Sequence, residues 1–277
     1  MRLKYLGTAA AEGVPSLFCR CDTCKKARER GGREIRTRSQ AIVNDCLLID
    51  FPSDTYSHCT TNGIDLSQLD SCIITHTHGD HTFPWEFYNL KKGYSSLPED
   101  YQGFTLYGSE DVEARFADQL KGTGGRLRFN RVAPFEPFCV CGLKITALKA
   151  GHGTPHPYIY MIEDGESAIL YAHDTHRFPD ETWEYLKNAG VCFDIVSLDC
   201  TGGAAEHIER YSHMYLGENK ICRQELLDLG LANENTRFIL NHFSHNGLSV
   251  NYKEFCDIVR PFGFDVSYDG MTVDTEA

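Results

Sequence analysis

The sequence Thr-His-Thr-His-Gly-Asp-His at positions 75–81 follows a short apolar run and places four potential metal ligands within six residues. His76 and His78 alternate on an extended segment, so both side chains can point at one ion. Gly79 lets the backbone bend, which turns Asp80 and His81 towards a second ion nearby. Imidazole and carboxylate ligands suit zinc, manganese or iron, and two ions that close together can activate one water molecule between them. The stretch therefore predicts a dinuclear hydrolase site.

Length, composition and charge limit the class of protein. The chain has 277 residues, 42% of them apolar, which allows a sizeable core in one large domain. No repeat, low-complexity tract or linker marks a boundary, so we expect a single domain over 1–277. The net charge of −12 disfavours nucleic acid as a partner through long-range repulsion. A small anionic substrate can still bind, because divalent ions reverse the local field.

The N-terminal residues and the hydropathy indicate a compartment. Residues 1–7 alternate like a strand rather than forming the apolar centre of a signal peptide, and no run is long enough to cross a bilayer. We therefore expect a cytoplasmic protein without a membrane partner, in which the 12 cysteines are mostly reduced. Most of the cysteines lie inside apolar runs and are predicted to be small core residues, among them Cys46, Cys72, Cys192 and Cys200.

Strand-like and helix-like patterns alternate along the chain. Strands are predicted at 3–6, 40–51, 71–75, 104–107, 127–132, 144–149, 158–162, 168–172, 193–198, 237–240 and 265–268. Helices are predicted at 22–30, 109–120, 179–188, 218–229 and 251–259. Many strands with helices at both ends of the sequence favour an α+β fold of the αββα type, in which two mixed sheets pack face to face under outer helices.

Further ligands are expected at strand ends, because a rigid sheet positions a side chain well. Three segments qualify: a predicted strand runs into His152, a second into Asp174 and a third into His242. His156 competes with His152, which is favoured because it lies nearer the strand end and between two glycines. His173 and His176 flank Asp174 and are either neighbours or rim groups. Asp174 could bridge two ions with its two oxygens.

These residues resemble the metallo-β-lactamase superfamily in its His-x-His-x-Asp-His motif and in the order of the later ligands, over nearly the whole chain. The resemblance implies one ion held by His76, His78 and His152, and a second held by Asp80, His81 and His242. It implies that Asp174 and a hydroxide bridge the two ions, and that Asp80 belongs to the catalytic residues. Asp50, which ends an apolar strand, matches the superfamily aspartate that orients the ligand loop without touching metal.

A second cluster, Cys19-Arg20-Cys21-Asp22-Thr23-Cys24, places three thiols in six residues before a predicted helix. In a reduced compartment this spacing indicates a structural zinc site over 19–24 that lacks its fourth ligand. The alternative is a redox-active or simply buried group of thiols. His245 is the favoured fourth ligand, since it lies three residues after His242. Cys139 and Cys141 are weaker candidates, because alternate cysteines on a strand need no metal.

The two clusters together resemble the PhnP family, the phosphodiesterases of bacterial phosphonate degradation. That resemblance implies structural zinc on Cys19, Cys21, Cys24 and His245, two divalent zinc or manganese ions at the active site, and a small phosphodiester substrate. The characteristic substrate is 5-phosphoribosyl 1,2-cyclic phosphate, opened to ribose 1,5-bisphosphate. The family also carries an active-site histidine shortly before a helix near the C-terminus, and His213 fits that place as a proton donor. The alternative is that His213 merely precedes the helix.

Some features depart from these families and leave alternatives open. Phe51-Pro52 follows Asp50 where small residues are commoner, and the segment 83–125 is long and aromatic-rich. The basic segment 25–38 could hold a phosphate, although a solvated helix face is the default. Alternative functions are an RNA-processing nuclease, a thioester or lactone hydrolase, and a non-catalytic carrier protein of cofactor biosynthesis. A homodimer is also possible.

Overall fold

The computed structural model describes residues 1–207, 212–248 and 250–275. Tyr211, which precedes the His213 segment, and the last two residues of the expected 1–277 domain lie outside that part. The strands are β1 (Arg2–Gly7), β2 (Gln40–Val43), β3 (Leu47–Ile49), β4 (Ser71–Ile73), β5 (Phe104–Gly108), β6 (Leu127–Arg131), β7 (Pro137–Val140), β8 (Leu143–Lys149), β9 (Tyr158–Glu163), β10 (Ala168–Ala172), β11 (Ile195–Asp199), β12 (Arg237–Asn241), β13 (Phe264–Val266) and β14 (Thr272–Asp274). The helices are α1 (Asp22–Arg30), α2 (Thr55–Asn62), α3 (Glu110–Arg115), α4 (Ala117–Gly122), α5 (Asp180–Asn188), α6 (Leu216–Asp228) and α7 (Tyr252–Val259). Short 3₁₀ turns lie at Gly32–Glu34, Leu66–Gln68, Pro84–Leu90 and Arg260–Phe262.

The strands form two seven-stranded sheets, in the orders β14-β1-β2-β3-β4-β5-β6 and β13-β12-β11-β10-β9-β8-β7. Each sheet is half antiparallel and half parallel. In the first, β14 to β3 pair antiparallel and β3 to β6 pair parallel. In the second, β13 to β10 pair parallel and β10 to β7 pair antiparallel. The parallel strands require crossover connections, which contain α-helices except between β4 and β5, where the 3₁₀ segment Pro84–Leu90 lies.

The apolar residues divide into three layers. The central layer lies between the sheets, where Tyr5, Tyr160 and Tyr171 pack among Val, Ile and Leu side chains from both sheets. A second layer lies under the segment that includes Phe87 and Phe116, against the outer face of the first sheet. The third lies between the outer face of the second sheet and α5, α6 and α7. Strands buried on both faces explain the continuous apolar runs in the sequence. The predicted αββα sandwich of two mixed sheets is confirmed.

Several element boundaries differ from the sequence prediction. The single strand predicted over 40–51 is two antiparallel strands, β2 and β3, which join through Asn44 and Asp45. These two residues have φ of 51° and 53°, values that short polar side chains tolerate in a tight hairpin. The helix predicted over 109–120 is divided into α3 and α4 at Phe116, and α2 was not predicted. In the described part of the chain, no helix is long and apolar enough to cross a membrane.

Candidate metal centre

The predicted ligands converge at the carboxyl ends of the parallel strands. The loop that carries 76–81 follows β4 in the first sheet, whereas Asp174 follows β10 and His242 follows β12 in the second. The carboxyl edge of a parallel sheet is the usual place for a ligand site, because consecutive loops meet there. His152 arrives from β8 on a loop that is tied to the Asp174 loop, since Gly151 N donates to Thr175 Oγ1 at 2.9 Å. The site is therefore assembled from both sheets.

Three histidines form the first half of the site. Nδ1 of His78 lies 3.0 Å from Nε2 of His76 and 3.0 Å from Nε2 of His152. Nitrogen ligands about 2.1 Å from one ion lie about 3.0 Å apart at octahedral angles and about 3.4 Å apart at tetrahedral angles. The observed spacing of 3.0 Å equals the octahedral separation. The three nitrogens are therefore placed to hold one divalent ion.

Asp174 stands between this half and the second. Its Oδ2 lies 3.4 Å from His76 Nε2 on one side, and 2.5 Å and 3.3 Å from Nε2 of His81 and His242 on the other. Asp80 completes the second half, with Oδ2 3.2 Å from His81 Nε2. Ligand atoms of Asp80, His81, Asp174 and His242 all lie within 4.8 Å of one another. A carboxylate shared in this way can bridge two ions.

Unpaired polar atoms support ligation by metal. His81 Nε2, His242 Nε2 and Asp174 Oδ2 are buried, yet they have no hydrogen-bond partner in the part of the chain that the structure describes. Buried polar atoms of this kind are costly unless something pairs with them. Their short mutual distances without hydrogen-bond geometry mean that their lone pairs converge on a common point. The donor set fits divalent metal ions.

Charge interactions couple ion binding to proton release. Burial alone would lower the pKa of His81, but the carboxylates of Asp80 and Asp50 hold that pKa well above its usual value. Burial would likewise raise the pKa of Asp174, but the neighbouring His242 and His81 hold it well below its usual value. An ion bound through His81 Nε2 must displace the proton on that nitrogen. Ion affinity should therefore rise with pH.

Asp50, which is predicted to orient the ligand loop, makes hydrogen bonds to that loop. The fully buried carboxylate accepts His81 Nδ1–H at 2.7 Å through Oδ2 and Thr75 N–H at 2.8 Å through Oδ1. With its proton on Nδ1, His81 presents the lone pair of Nε2 to the site. The positive φ of Asp50, 66°, turns the chain at the end of β3 so that its side chain reaches under the loop.

His213 lies on the rim of the site, in contact with its bridging carboxylate. Nδ1 of His213 is 3.2 Å from Asp174 Oδ1 and 3.0 Å from Asp199 Oδ2. Burial lowers the pKa of His213, but Asp199 outweighs it and raises the pKa to about 9. Thr201 Oγ1 lies 2.8 Å from Nδ1 of His242, one of the candidate ligands, and 3.4 Å from Nδ1 of His213, so Thr201 connects the two histidines. The arrangement keeps His213 protonated beside the Asp174 carboxylate.

Sequence reasoning missed Asp199 and Thr201. Asp199 is the last residue of β11 and is fully buried, and it accepts Thr201 N–H at 2.9 Å. The signal that found Asp174, an acidic residue at the end of an apolar strand, was present for Asp199 as well.

Two histidines that the sequence offered as alternative site residues lie elsewhere in the structure. His156 bonds to Asp111 at 2.6 Å outside the site, and His173 is buried beneath it against Ser197.

A cavity of about 430 Å³ opens onto the site. Its inner wall is formed by candidate ligands, Thr201 and His213, and its outer wall by residues of three loops, which follow β1, β11 and β12. The outer-wall residues are Ala10, Ala11, Glu12, Ser212, Ser244 and Asn246. This volume lies in the range of small-molecule pockets, about 300–1,000 Å³.

The four residues of the predicted cysteine site also come together. Cys19, Cys21, Cys24 and His245 have their ligand atoms within 4.8 Å of one another. His245 Nδ1 lies 3.6 Å from Cys19 Sγ and 3.5 Å from Cys21 Sγ. Tetrahedral zinc, with its usual bond lengths to sulfur and nitrogen, separates these ligands by about 3.6 Å. The geometry fits one zinc ion.

The electrostatic surroundings favour the thiolate form at Cys21, whereas burial raises the pKa of Cys24 to about 11, so an ion would have to displace the Cys24 proton. Cys21 is the N-cap of α1, and although burial opposes it, the Cys24 backbone N–H and neighbouring side chains lower its pKa to about 6. Arg28 fastens the cysteine loop by donating to Cys19 O at 2.8 Å and to Ser16 O at 2.7 Å. Part of the basic segment 25–38 thus has a structural use.

Comparisons with known proteins agree with the fold. Residues 45–243 match the family model described as a β-lactamase superfamily domain. The chain is 26% identical over 179 residues to a ribonuclease Z of Listeria monocytogenes serotype 4a (strain HCC23), which covers 62% of this chain and 52% of that protein. Its fold is similar to a solved diphosphatase of the PhnP family, with a TM-score of 0.74, 21% identity and coverage of 99% and 97% of the two chains. It is also similar to zinc-bound PqqB from Methylobacterium extorquens, with a TM-score of 0.71, 19% identity and coverage of 99% and 100%.

The low identity and partial coverage of these matches limit the conclusions about function that can be drawn from them. The chain spans about half the length of the curated relatives it matches, between 51% and 61%. Identities of 21% and 19% to the solved structures establish the fold alone. The particular reaction therefore has to be argued from the residues of this chain.

Proposed function

The chain belongs to the β-lactamase superfamily, and on that premise we propose that it is a dinuclear metal-dependent phosphodiesterase of a small cyclic phosphodiester such as 5-phosphoribosyl 1,2-cyclic phosphate. The coarser assignment, a hydrolase of the metallo-β-lactamase fold, follows from the family. The finer one is supported above all by the His213–Asp199 pair, which stands 3.2 Å from the bridging carboxylate of Asp174.

The leaving group explains why this pair matters. Hydrolysis of an alkyl phosphodiester expels an alkoxide, which is a poor leaving group and needs a proton in the transition state. A thiolate leaves without one. A histidine held in its protonated form beside the reacting centre is therefore of most use for a phosphodiester. Asp199 supplies the negative charge that keeps His213 in that form.

The other residues of the site would bind the two ions and orient their ligands. His76, His78 and His152 would hold one ion, and Asp80, His81 and His242 the other, with Asp174 between them. Two divalent ions bound there would neutralise charge on the phosphoryl oxygens and acidify a water molecule. Asp50 keeps the proton of His81 on Nδ1, and Thr201 keeps the His242 ring in place. His213 would pass its proton to the departing oxygen.

The size and charge of the cavity favour a small substrate. About 430 Å³ accommodates a sugar phosphate, whereas a folded RNA would have to contact the surface around it. The chain carries 39 acidic and 27 basic residues, which opposes a polyanion. The positive charge of two divalent ions at the dinuclear centre would attract an anion at short range only.

A substrate panel tests the proposal. The metal-loaded protein is assayed against 5-phosphoribosyl 1,2-cyclic phosphate, 2′,3′-cyclic nucleotides, bis-nitrophenyl phosphate and a thioester. We expect the highest kcat/KM on a cyclic phosphodiester. Turnover of the thioester alone would reject the phosphodiesterase assignment, and no turnover of any substrate would favour a non-catalytic carrier.

A ribonuclease is the second candidate, and the match of 179 residues to a ribonuclease Z favours it. Cleavage of a tRNA precursor at its 3′ end, with little activity on the cyclic phosphates, would support this candidate instead. The salt dependence separates the two as well. Binding of RNA weakens steeply with salt because many counterions are released, whereas binding of a sugar phosphate with only two phosphate groups depends on salt far less.

A further inference from the structure

We propose that Glu12 is a positioning residue for the cysteine site: its carboxylate holds the His245 ring against the thiols and connects that site to the cavity at the dinuclear centre. Glu12 lies in the loop that follows β1, seven residues before Cys19, and it was not singled out by its sequence. The inference depends on an ion at the cysteine site and not on the reaction at the other centre.

Three consecutive residues surround the Glu12 carboxylate. Ser244 Oγ donates a short hydrogen bond to Oε1, and Asn246 Nδ2 donates to the same oxygen at 3.5 Å. His245 Nε2 lies 3.7 Å from Oε1, while its other ring nitrogen, Nδ1, faces Cys19 and Cys21. The carboxylate thus sits at the opposite end of the imidazole from the thiols.

This placement has a chemical consequence for an ion on Nδ1. When Nδ1 gives its lone pair to a cation, the proton of the ring is on Nε2 and the ring gains positive charge. A carboxylate beyond Nε2 stabilises that charge and fixes the tautomer and orientation of the ring, as carboxylates do behind many zinc-bound histidines. Glu12 is 29% exposed and His245 11%, so solvent only partly screens the interaction.

The same side chain forms part of the wall of the active-site cavity, where it lies with Ser244 and Asn246. The two chain segments are also joined through the backbone, because Ala10 N donates to Phe243 O at 2.9 Å and Phe243 N donates to Thr8 O at 2.9 Å. His242, one residue before Phe243, is a ligand of the dinuclear half-site. Occupation of the cysteine site therefore fixes one wall of the cavity.

The test measures metal at the cysteine site directly. Cobalt(II) replaces zinc, and the charge-transfer band of a cobalt–thiolate bond reports this site alone, since the dinuclear clusters among the described residues offer only nitrogen and oxygen ligands. Affinity is obtained by competition with a chelator of known strength. Glu12→Gln keeps an acceptor for Ser244 and removes only the charge, so we expect roughly tenfold weaker binding. Glu12→Ala should weaken it by roughly 10–100-fold and shift the band.

Asp22→Asn is the matched control, because it removes a carboxylate next to Cys21 whose side chain is 87% exposed. Its affinity should stay within about twofold of the wild type, which separates the positioning effect from the loss of nearby charge. Circular dichroism confirms that each variant is folded. Wild-type affinity and an unshifted band in folded Glu12→Gln and Glu12→Ala would overturn the proposal. So would the absence of any thiolate band in the wild-type protein.

Discussion

Two substitutions of Asp50 distinguish its effect on the orientation of His81 from its effect on the stability of the fold. Asp50 accepts one proton from His81 Nδ1 at 2.7 Å and another from Thr75 N at 2.8 Å, and its side chain is fully buried. Asp50→Ala leaves both donors unpaired. Loss of a group that orients a ligand costs about 10–100-fold in metal affinity, or about 1.4–2.7 kcal/mol. An unpaired buried N–H costs the fold about 1–3 kcal/mol more.

Asp50→Asn makes the test sharper. Its amide oxygen can still accept from Thr75, but its NH₂ group then faces His81 and can only donate. The His81 proton is forced to Nε2, so the ligand lone pair points away from the ion. We therefore expect Asp50→Asn to lose as much metal affinity as Asp50→Ala while it keeps more of its stability.

The two quantities are measured separately. Metal affinity is obtained by chelator competition followed by elemental analysis, and stability by urea denaturation of the metal-free protein. Asp194→Asn is the control, because that carboxylate also accepts a backbone N–H, from Ala168 at 2.8 Å, but at the opposite end of β10. It should weaken the fold and leave metal affinity unchanged. Full metal affinity in Asp50→Asn would refute the reasoning about the tautomer.

Four further predictions follow from other groups. His213→Ala should slow hydrolysis of an alkyl ester by about 10²–10⁴-fold, yet that of a nitrophenyl ester far less; equal slowing would contradict its role as an acid. Because Asp199 raises the pKa of His213 to about 9, activity should fall as pH rises through that value, and in Asp199→Asn the fall should begin at lower pH. Elemental analysis should find about three metals per chain, and one fewer in Cys21→Ala; an unchanged count would exclude the cysteine site. Burial lowers the pKa of His58 to about 4, so the unfolded chain binds the proton first, and between pH 7 and pH 5 the free energy of unfolding should fall by about 2 kcal/mol more in the wild type than in His58→Gln. An equal fall in urea denaturation of the two proteins would contradict this role of His58.

The sequence predicted the site better than the elements that carry it. Candidate ligands such as His76 and Asp174 follow apolar strands closely. The carboxyl ends of neighbouring parallel strands lie at the same edge of a sheet, so the local sequence pattern was sufficient to predict which residues come together. The hairpin at Asn44 was missed because both of its strands are buried and apolar, which hides the turn between them. Helix α2 was missed because TYSHCTTN has no strong helix formers and no amphipathic stripe.

The contacts around the site could not have been predicted in the same way. Glu12 and His245 are 233 positions apart, and their contact depends on how the loop after β1 pairs with the loop after β12. Asp199 has a local signal, but its role depends on the place of His213, which lies on a loop without a regular pattern. Single-sequence periodicity carries no information on such long-range pairs.

The division of the ligands between the two sheets has a consequence for how the protein acquires its metals. His76 and His242 are 166 residues apart (242 − 76), and Cys24 and His245 are 221 apart (245 − 24). At synthesis rates of about 5–20 residues per second, the first ligands of either site wait roughly ten seconds or longer for the last. During that time the nascent chain exposes histidines and thiolates that can bind a metal ion only with an incomplete set of ligands. Metal insertion must therefore follow the folding of the second sheet, and the metal that is finally held depends on what the cell supplies after translation.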